Sequence, residues 1–175
     1  AGIRENTIVI FTSDNGGERY SNMGGLARGK FEVWEGGIRV PAFVRWPGVI
    51  PAGRTTPQVA MGFDWTATIL AAAEVDPAPT HPMDGIDLMS VMRGDSDLVD
   101  RTLFWRTFQS SRQGAVRSGW WKYLRDEQGE YLFNLAIDPG ERTDVKEQDP
   151  ERFTTLKATY EEWDAQMLRP VPLAL

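Results

Sequence analysis

Ile8-Val9-Ile10-Phe11 is apolar at every position and stops at Thr12-Ser13-Asp14-Asn15-Gly16-Gly17. A short run without period-2 alternation suits a strand buried on both faces, as in a parallel sheet flanked by helices. Such a strand requires neighbours and cover. The chain offers Ile38–Trp46 as one neighbouring strand and Asp64–Ala73 as one covering helix, and further strands are expected from upstream residues. With these alone, the segment exposes an apolar edge and face, which invites pairing with another chain. The expected protein partner is therefore an N-terminal half of the same protein or a second copy.

The rest of the chain divides by character. Pro41 lies inside the second strand, which argues for an edge or a strand start, because proline cannot donate to the ladder. Pro47-Gly48 and Pro51-Ala52-Gly53 read as turns. Asp64 is the expected N-cap of the covering helix. Val75–Pro82 is a proline-rich loop, and Ile86–Met92 predicts a short helix ending at Gly94. Residues 1–95 thus read as a piece of an α/β domain, and residues 96–175 as a separate subdomain. In the latter, Leu103–Phe108, Gly114–Leu124 and Glu130–Leu135 predict antiparallel strands, with Asp126-Glu127-Gln128-Gly129 as a hairpin turn. Asp149-Pro150 starts a helix with Asp as N-cap and Pro at N1. Phe153, Leu156, Tyr160, Trp163 and Met167 fall on one stripe of it, which should cover a face of the sheet.

Composition removes several function classes. Net charge is −6, from 19 Lys and Arg against 25 Asp and Glu, and no basic block exceeds two residues. That argues against a nucleic-acid groove and against an anionic membrane surface, since both need clustered positive charge. The absence of cysteine removes disulfides, thiolate metal sites and a cysteine nucleophile from these residues. No apolar run approaches the roughly 18 residues needed to span a bilayer. Ala1–Asn6 has no apolar h-region and reads like a helix tail running into a strand, so any targeting signal is expected upstream and the compartment stays open.

Candidate chemistry gathers after the first strand. In α/β sheets, ligands sit beyond the carboxyl ends of the strands. Asp14 and Asn15 stand there, and their carboxylate and amide oxygens are hard donors suited to Ca²⁺ or Mg²⁺. Asp, Asn and Gly are also turn formers, so the dipeptide by itself also reads as a plain turn and is weak evidence for a metal. Lys30 lies between Gly24, Gly25 and Gly29 on one side and Gly36 and Gly37 on the other. Glycines let the backbone approach a ligand, and a lysine there can neutralise an anion; a solvated surface lysine fits the same pattern. Glu35 and Arg39, four apart, suit a structural ion pair. Arg19 can reach an anion or stay solvated. His81 is a loop residue, Trp120-Trp121 belongs to a strand, and Asp138-Pro139-Gly140-Glu141 is a turn by composition.

The whole is more specific than its parts. The strand with Asp14-Asn15-Gly16, the loop with Lys30, Trp34-Glu35-Gly36-Gly37-Ile38-Arg39-Val40-Pro41 and Trp46-Pro47-Gly48 resemble the sulfatase family of the alkaline-phosphatase superfamily. The resemblance continues through Phe63–Leu70, Asp84–Leu88, Ala115–Tyr123 and Tyr131–Leu135 with Asp138-Pro139-Gly140-Glu141, so it covers nearly the whole chain. It implies an α/β fold: the end of an alkaline-phosphatase-like mixed sheet, followed by a small antiparallel β-sheet packed on a C-terminal helix. It further implies that Asp14 and Asn15 are two ligands of a Ca²⁺ ion and that Lys30 contacts the sulfate group as a substrate-binding and catalytic residue. The family's nucleophile is a formylglycine made from Cys or Ser in a Cys/Ser-x-Pro/Ala-x-Arg motif, and no such motif occurs here.

The chain is thus expected to be the C-terminal part of a sulfatase acting on a sulfated small molecule or sulfated sugar, and to be inactive alone. A phosphoester or phosphonate hydrolase of the same superfamily is the alternative. A single histidine leans against a dinuclear zinc site, which needs several nitrogen ligands. A noncatalytic binding or scaffold fragment is the third reading.

Overall fold

The computed structural model describes residues 2–18, 20–108 and 112–168, so Arg19 lies outside the described residues. The chain forms two units, Ala1–Asp14 with Pro41–Val99 and Asn15–Val40 with Asp100–Leu175. No helix of the described residues is long and apolar enough to cross a membrane.

In the first unit a 3₁₀ turn, Arg4–Asn6, leads into β1 (Val9–Thr12). β1 pairs with β2 (Ala42–Arg45), which begins directly after Pro41. The pairing is antiparallel, with Phe11 opposite Phe43 and their rings 6.1 Å apart. The antiparallel pairing differs from the parallel sheet that an apolar run suggests, while the exposed apolar face expected of these elements alone is present: Phe11 is 61% and Phe43 65% exposed. The reason is cover. Among the described residues the sheet has two strands, and its apolar neighbours reach β2 through Val44, whose side chain points opposite to that of Phe43. The strand expected over Ile38–Trp46 is also shorter, because Ile38 ends a helical turn, α1 (Glu35–Ile38).

The covering helix is α2 (Gly62–Ala72), followed by α3 (Met89–Arg93). Asp64 acts from N3, not from the N-cap. Its buried carboxylate accepts the Met61 N–H at 2.6 Å and the Ile86 N–H at 3.0 Å, fixing the helix start to the loop before α3. Thr68 accepts the Leu88 N–H at 3.0 Å from the same helix. α3 is shorter than expected: Leu88 is its N-cap, and just before it the Asp87 carboxylate accepts the Met89 N–H at 2.8 Å in a local turn. It stops at Gly94, which adopts φ 86°, the left-handed C-cap that glycine adopts most readily. Leu88, Met89 and Met92 form the core with Val44, Trp46, Ile50, Trp65 and Ile86.

The second unit is built on four antiparallel strands in chain order: β3 (Thr102–Thr107), β4 (Gln113–Ser118), β5 (Trp121–Arg125) and β6 (Glu130–Asn134). The single strand expected over Gly114–Leu124 is two, broken at Gly119 (φ 56°) and Trp120. The Asp126 turn forms as expected, its carboxylate accepting the N–H groups of Gln128 and Gly129 at 2.8 and 3.1 Å. α4 (Pro150–Gln166) starts at Asp149, whose side chain accepts the Arg152 N–H at 3.1 Å.

Period 2 sorts this sheet's residues to its two faces. Val116, Tyr123 and Leu132 pack under Leu156 and Tyr160 of α4, with Phe153 and Trp163 at the margin. Ala115, Leu124, Phe133 and Leu135 face the other way and cover Val33 and Trp34. The segment just before α1 is therefore part of the second unit's core.

Candidate active site

Residues 15–40 form a loop whose strands of backbone hold one another. The Gly16 N–H donates to the Gly37 carbonyl at 2.8 Å, the Gly36 N–H to the Ala27 carbonyl at 2.8 Å, and the Lys30 N–H to the Gly17 carbonyl at 3.0 Å. Glycine is required where these segments cross. A Cβ on Gly16 would overlap the Gly36 carbonyl, and one on Gly36 would overlap the carbonyls of Ala27 and Arg28. Lys30 sits between two non-glycine residues in the left-handed region, Arg28 (φ 61°) and Phe31 (φ 73°). Such conformations cost on the order of 1–3 kcal/mol each and persist only where the surroundings impose them.

Lys30 is 32% exposed, and its ammonium lies 3.0 Å from the Glu18 carboxylate and 5.2 Å from the Phe31 ring centre. Asn15 is partly buried, next to the locked Gly16, in the same unit. Asp14 closes the other unit; it is exposed and accepts a long hydrogen bond from the Ser13 hydroxyl at 3.5 Å. Among the described residues no three His, Asp or Glu side chains gather as a metal site. His81 is an exposed loop residue whose ring Nδ1 lies 2.9 Å from the Thr80 hydroxyl.

A second charged cluster lies beneath the loop. Lys122, fully buried on β5, places its ammonium 3.0 Å from Glu35 Oε1 and 2.7 Å from Glu141 Oε1. Glu141 Oε2 accepts the Glu35 backbone N–H at 2.6 Å, at the start of α1. Glu35 Oε2 accepts no hydrogen bond and faces the guanidinium groups of Arg39 at 3.7 Å and Arg117 at 3.9 Å. The Glu35–Arg39 pair thus forms as the spacing predicts. Burial raises the Glu141 carboxyl above its ordinary range, against the pull of Lys122, and lowers the Arg117 guanidinium, against that of Glu35.

The sequence reading missed Lys122 and Glu141. Glu141 reads as the end of an ordinary Asp-Pro-Gly-Glu turn, yet it takes φ 52° to send its carboxylate inward. The one available signal was Lys122 itself, a charge between Trp121 and Tyr123 in a strand that otherwise reads as core.

With its helices and strands, its small antiparallel sheet and its C-terminal helix, the chain has an alkaline-phosphatase-like fold. The chain belongs to the sulfatase family, whose model, described as Sulfatase, matches residues 1–75. It is 36% identical over 148 residues to N-acetylgalactosamine-6-sulfatase of Canis lupus familiaris, a match covering 79% of this chain and 28% of that protein. It is 38% identical over 146 residues to arylsulfatase A of Homo sapiens, again covering 79% and 28%. Among solved structures, the crystal structure of Ps i-CgsB in complex with k-i-k-neocarrahexaose matches with a TM-score of 0.84 and 28% identity, covering 91% of this chain and 37% of that one. The chain therefore spans about a third of the length of the relatives it matches.

Proposed function

We propose that the whole protein hydrolyses sulfate esters and that this chain supplies Lys30 to the sulfuryl group and Asp14 and Asn15 to a calcium ion. The observation that supports this reading best is the setting of Lys30, an ammonium on a glycine-locked loop between two strained residues, in a chain of the sulfatase family. Backbone strain of this kind clusters at ligand clamps. Glu18 neutralises the ammonium at 3.0 Å, so an anionic sulfate group arriving there competes with a partly exposed carboxylate, which is a weak competitor. With the sulfate in place, Lys30 stabilises the negative charge that grows on its oxygens as the ester bond breaks.

The donors fit calcium in kind and fall short in number. A carboxylate and an amide oxygen are what a hard cation takes, but calcium needs about 6–8 oxygens. Asp14 and Asn15 would hold one edge of the ion, and bound calcium would add fixed positive charge at the sulfuryl oxygens. The formylglycine nucleophile has no precursor among these 175 residues, so the chain alone is expected to turn over no sulfate ester. The substrate class is a sulfated sugar, in line with the names of the canine relative and of the oligosaccharide held by Ps i-CgsB.

Replacing Lys30 tests the reading. In the full-length enzyme Lys30→Ala should lower turnover of an aryl sulfate on the order of 10²–10³-fold, the scale for losing one preorganised charge-stabilising group. An unchanged kcat/KM would make Lys30 a solvated surface group and overturn the assignment.

A further inference from the structure

We propose that Lys122 and Glu141 are positioning residues for the sulfate-binding loop, an inference that rests on the Lys30 reading above. The argument follows the hydrogen bonds. Glu35 is held on three sides by groups of the C-terminal sheet and the turn beyond it: Lys122 on its carboxylate at 3.0 Å, Arg117 facing that carboxylate at 3.9 Å, and Glu141 on its backbone N–H at 2.6 Å. Glu35 opens α1, and α1 contains the two glycines on which the loop is hung. Gly37 accepts from Gly16, beside Asn15, and Gly36 donates to Ala27, three residues before Lys30. The chain from Lys122 to Lys30 thus runs through one buried carboxylate and a few backbone bonds.

The loop is also anchored by apolar and neutral contacts. Val33 and Trp34 fill the sheet's core, and the Val33 N–H donates to the Gln113 side chain at 2.9 Å. Those contacts fix where the loop lies against the sheet. The ionic cluster does something they do not. Turning Glu35 away from Lys122 would leave an uncompensated charge in the buried cluster, so the cluster favours one angle of α1. Glu141 takes part from φ 52°, a costly conformation for a residue other than glycine that the surrounding contacts must hold. The proposed effect is on the aim of the Lys30 ammonium, with no contact between Lys122 and substrate. A displacement of about 1 Å at a catalytic group can lower a rate by 10²-fold.

The test is made in the full-length enzyme with Lys122→Met, which keeps length and removes charge, alone and combined with Lys30→Ala. Hydrogen exchange of peptides spanning 15–40 is followed alongside turnover of an aryl sulfate. The expected result is a loss of kcat on the order of 10-fold or more, with KM nearly unchanged, faster exchange across 15–40, and no further loss when Lys30 is already alanine. If Lys122→Met lowers kcat by the same factor in the Lys30→Ala background, the cluster does not act through Lys30 and the proposal falls. Unchanged exchange across 15–40 also overturns it, whatever the kinetics. Full activity in Lys30→Ala instead breaks the reading of Lys30, and the exchange result then still decides whether the cluster holds the loop. Should Lys122→Met fail to fold, Glu141→Gln, which keeps an oxygen toward the Glu35 N–H, goes through the same cycle with the same outcomes.

Discussion

The second unit closes a core of its own, whereas the first leaves its strands open. Val116, Tyr123, Leu124, Leu132 and Tyr160 have no exposed surface, because the four-stranded sheet is covered by α4 on one face and by Val33 and Trp34 on the other. In the first unit, α2 and α3 reach only the Val44 side of a two-stranded sheet, and Val9, Phe11 and Phe43 stay exposed. Similar apolar runs thus end in opposite states. Burial of a strand depends on what lies over it, and its own composition does not settle the matter. The loop that carries Asn15 and Lys30 follows β1 in sequence but belongs to the better-packed unit.

Stability measurements on the chain can break or sharpen this contrast. The largest effect is expected at the ionic cluster. Lys122→Met leaves two buried carboxylates without their shared cation and should cost about 3–5 kcal/mol; a denaturation midpoint close to that of the parent chain would mean that water reaches the cluster. A smaller, pH-dependent effect is expected at Asp144. Burial pushes its carboxyl up, but the Leu132 N–H and Lys146 outweigh it and hold the carboxyl below its ordinary range. Its folded pKa therefore lies below the unfolded value of about 3.9. The stabilisation it gives is fully present above that value and is lost as pH falls through the folded pKa. Asp144→Asn should make urea midpoints fall less steeply between about pH 5 and pH 2; an unaltered slope would remove Asp144 from the acid response. The smallest effect is expected in the first unit. Phe43→Ser, at a side chain 65% exposed, should shift stability by no more than about 0.5 kcal/mol while reducing the binding of a dye that reports exposed apolar surface. A loss comparable to that of Lys122→Met would show that Phe43 is covered in solution.

The sequence made some of this legible and hid the rest for identifiable reasons. α4, its Asp149 cap and its apolar stripe were readable because capping and helical spacing are local. The Asp126 hairpin was readable for the same reason. The exposed face of β1 was legible because the chain offers one neighbouring strand and one covering helix, but its antiparallel pairing was not, because an apolar run does not specify strand direction. Asp64 stands at N3 because the helix starts at Gly62 with Met61 as N-cap, a residue type that gives no capping signal in sequence. Asp14, Asn15 and Lys30 were found through a family pattern. Lys122 and Glu141 fall inside segments of the same pattern, but their pairing was hidden, because a buried ion cluster joins residues that are far apart in sequence.

Hydrogen exchange of the unmodified 175-residue chain tests the central claim, that the C-terminal sheet holds the loop bearing Lys30. The account predicts that peptides spanning 15–40 exchange slowly, together with those of β4, β5 and β6, while peptides spanning Val9–Thr12 and Ala42–Arg45 exchange faster. Exchange of 15–40 at the rate of an unstructured peptide, with the sheet still protected, would contradict it.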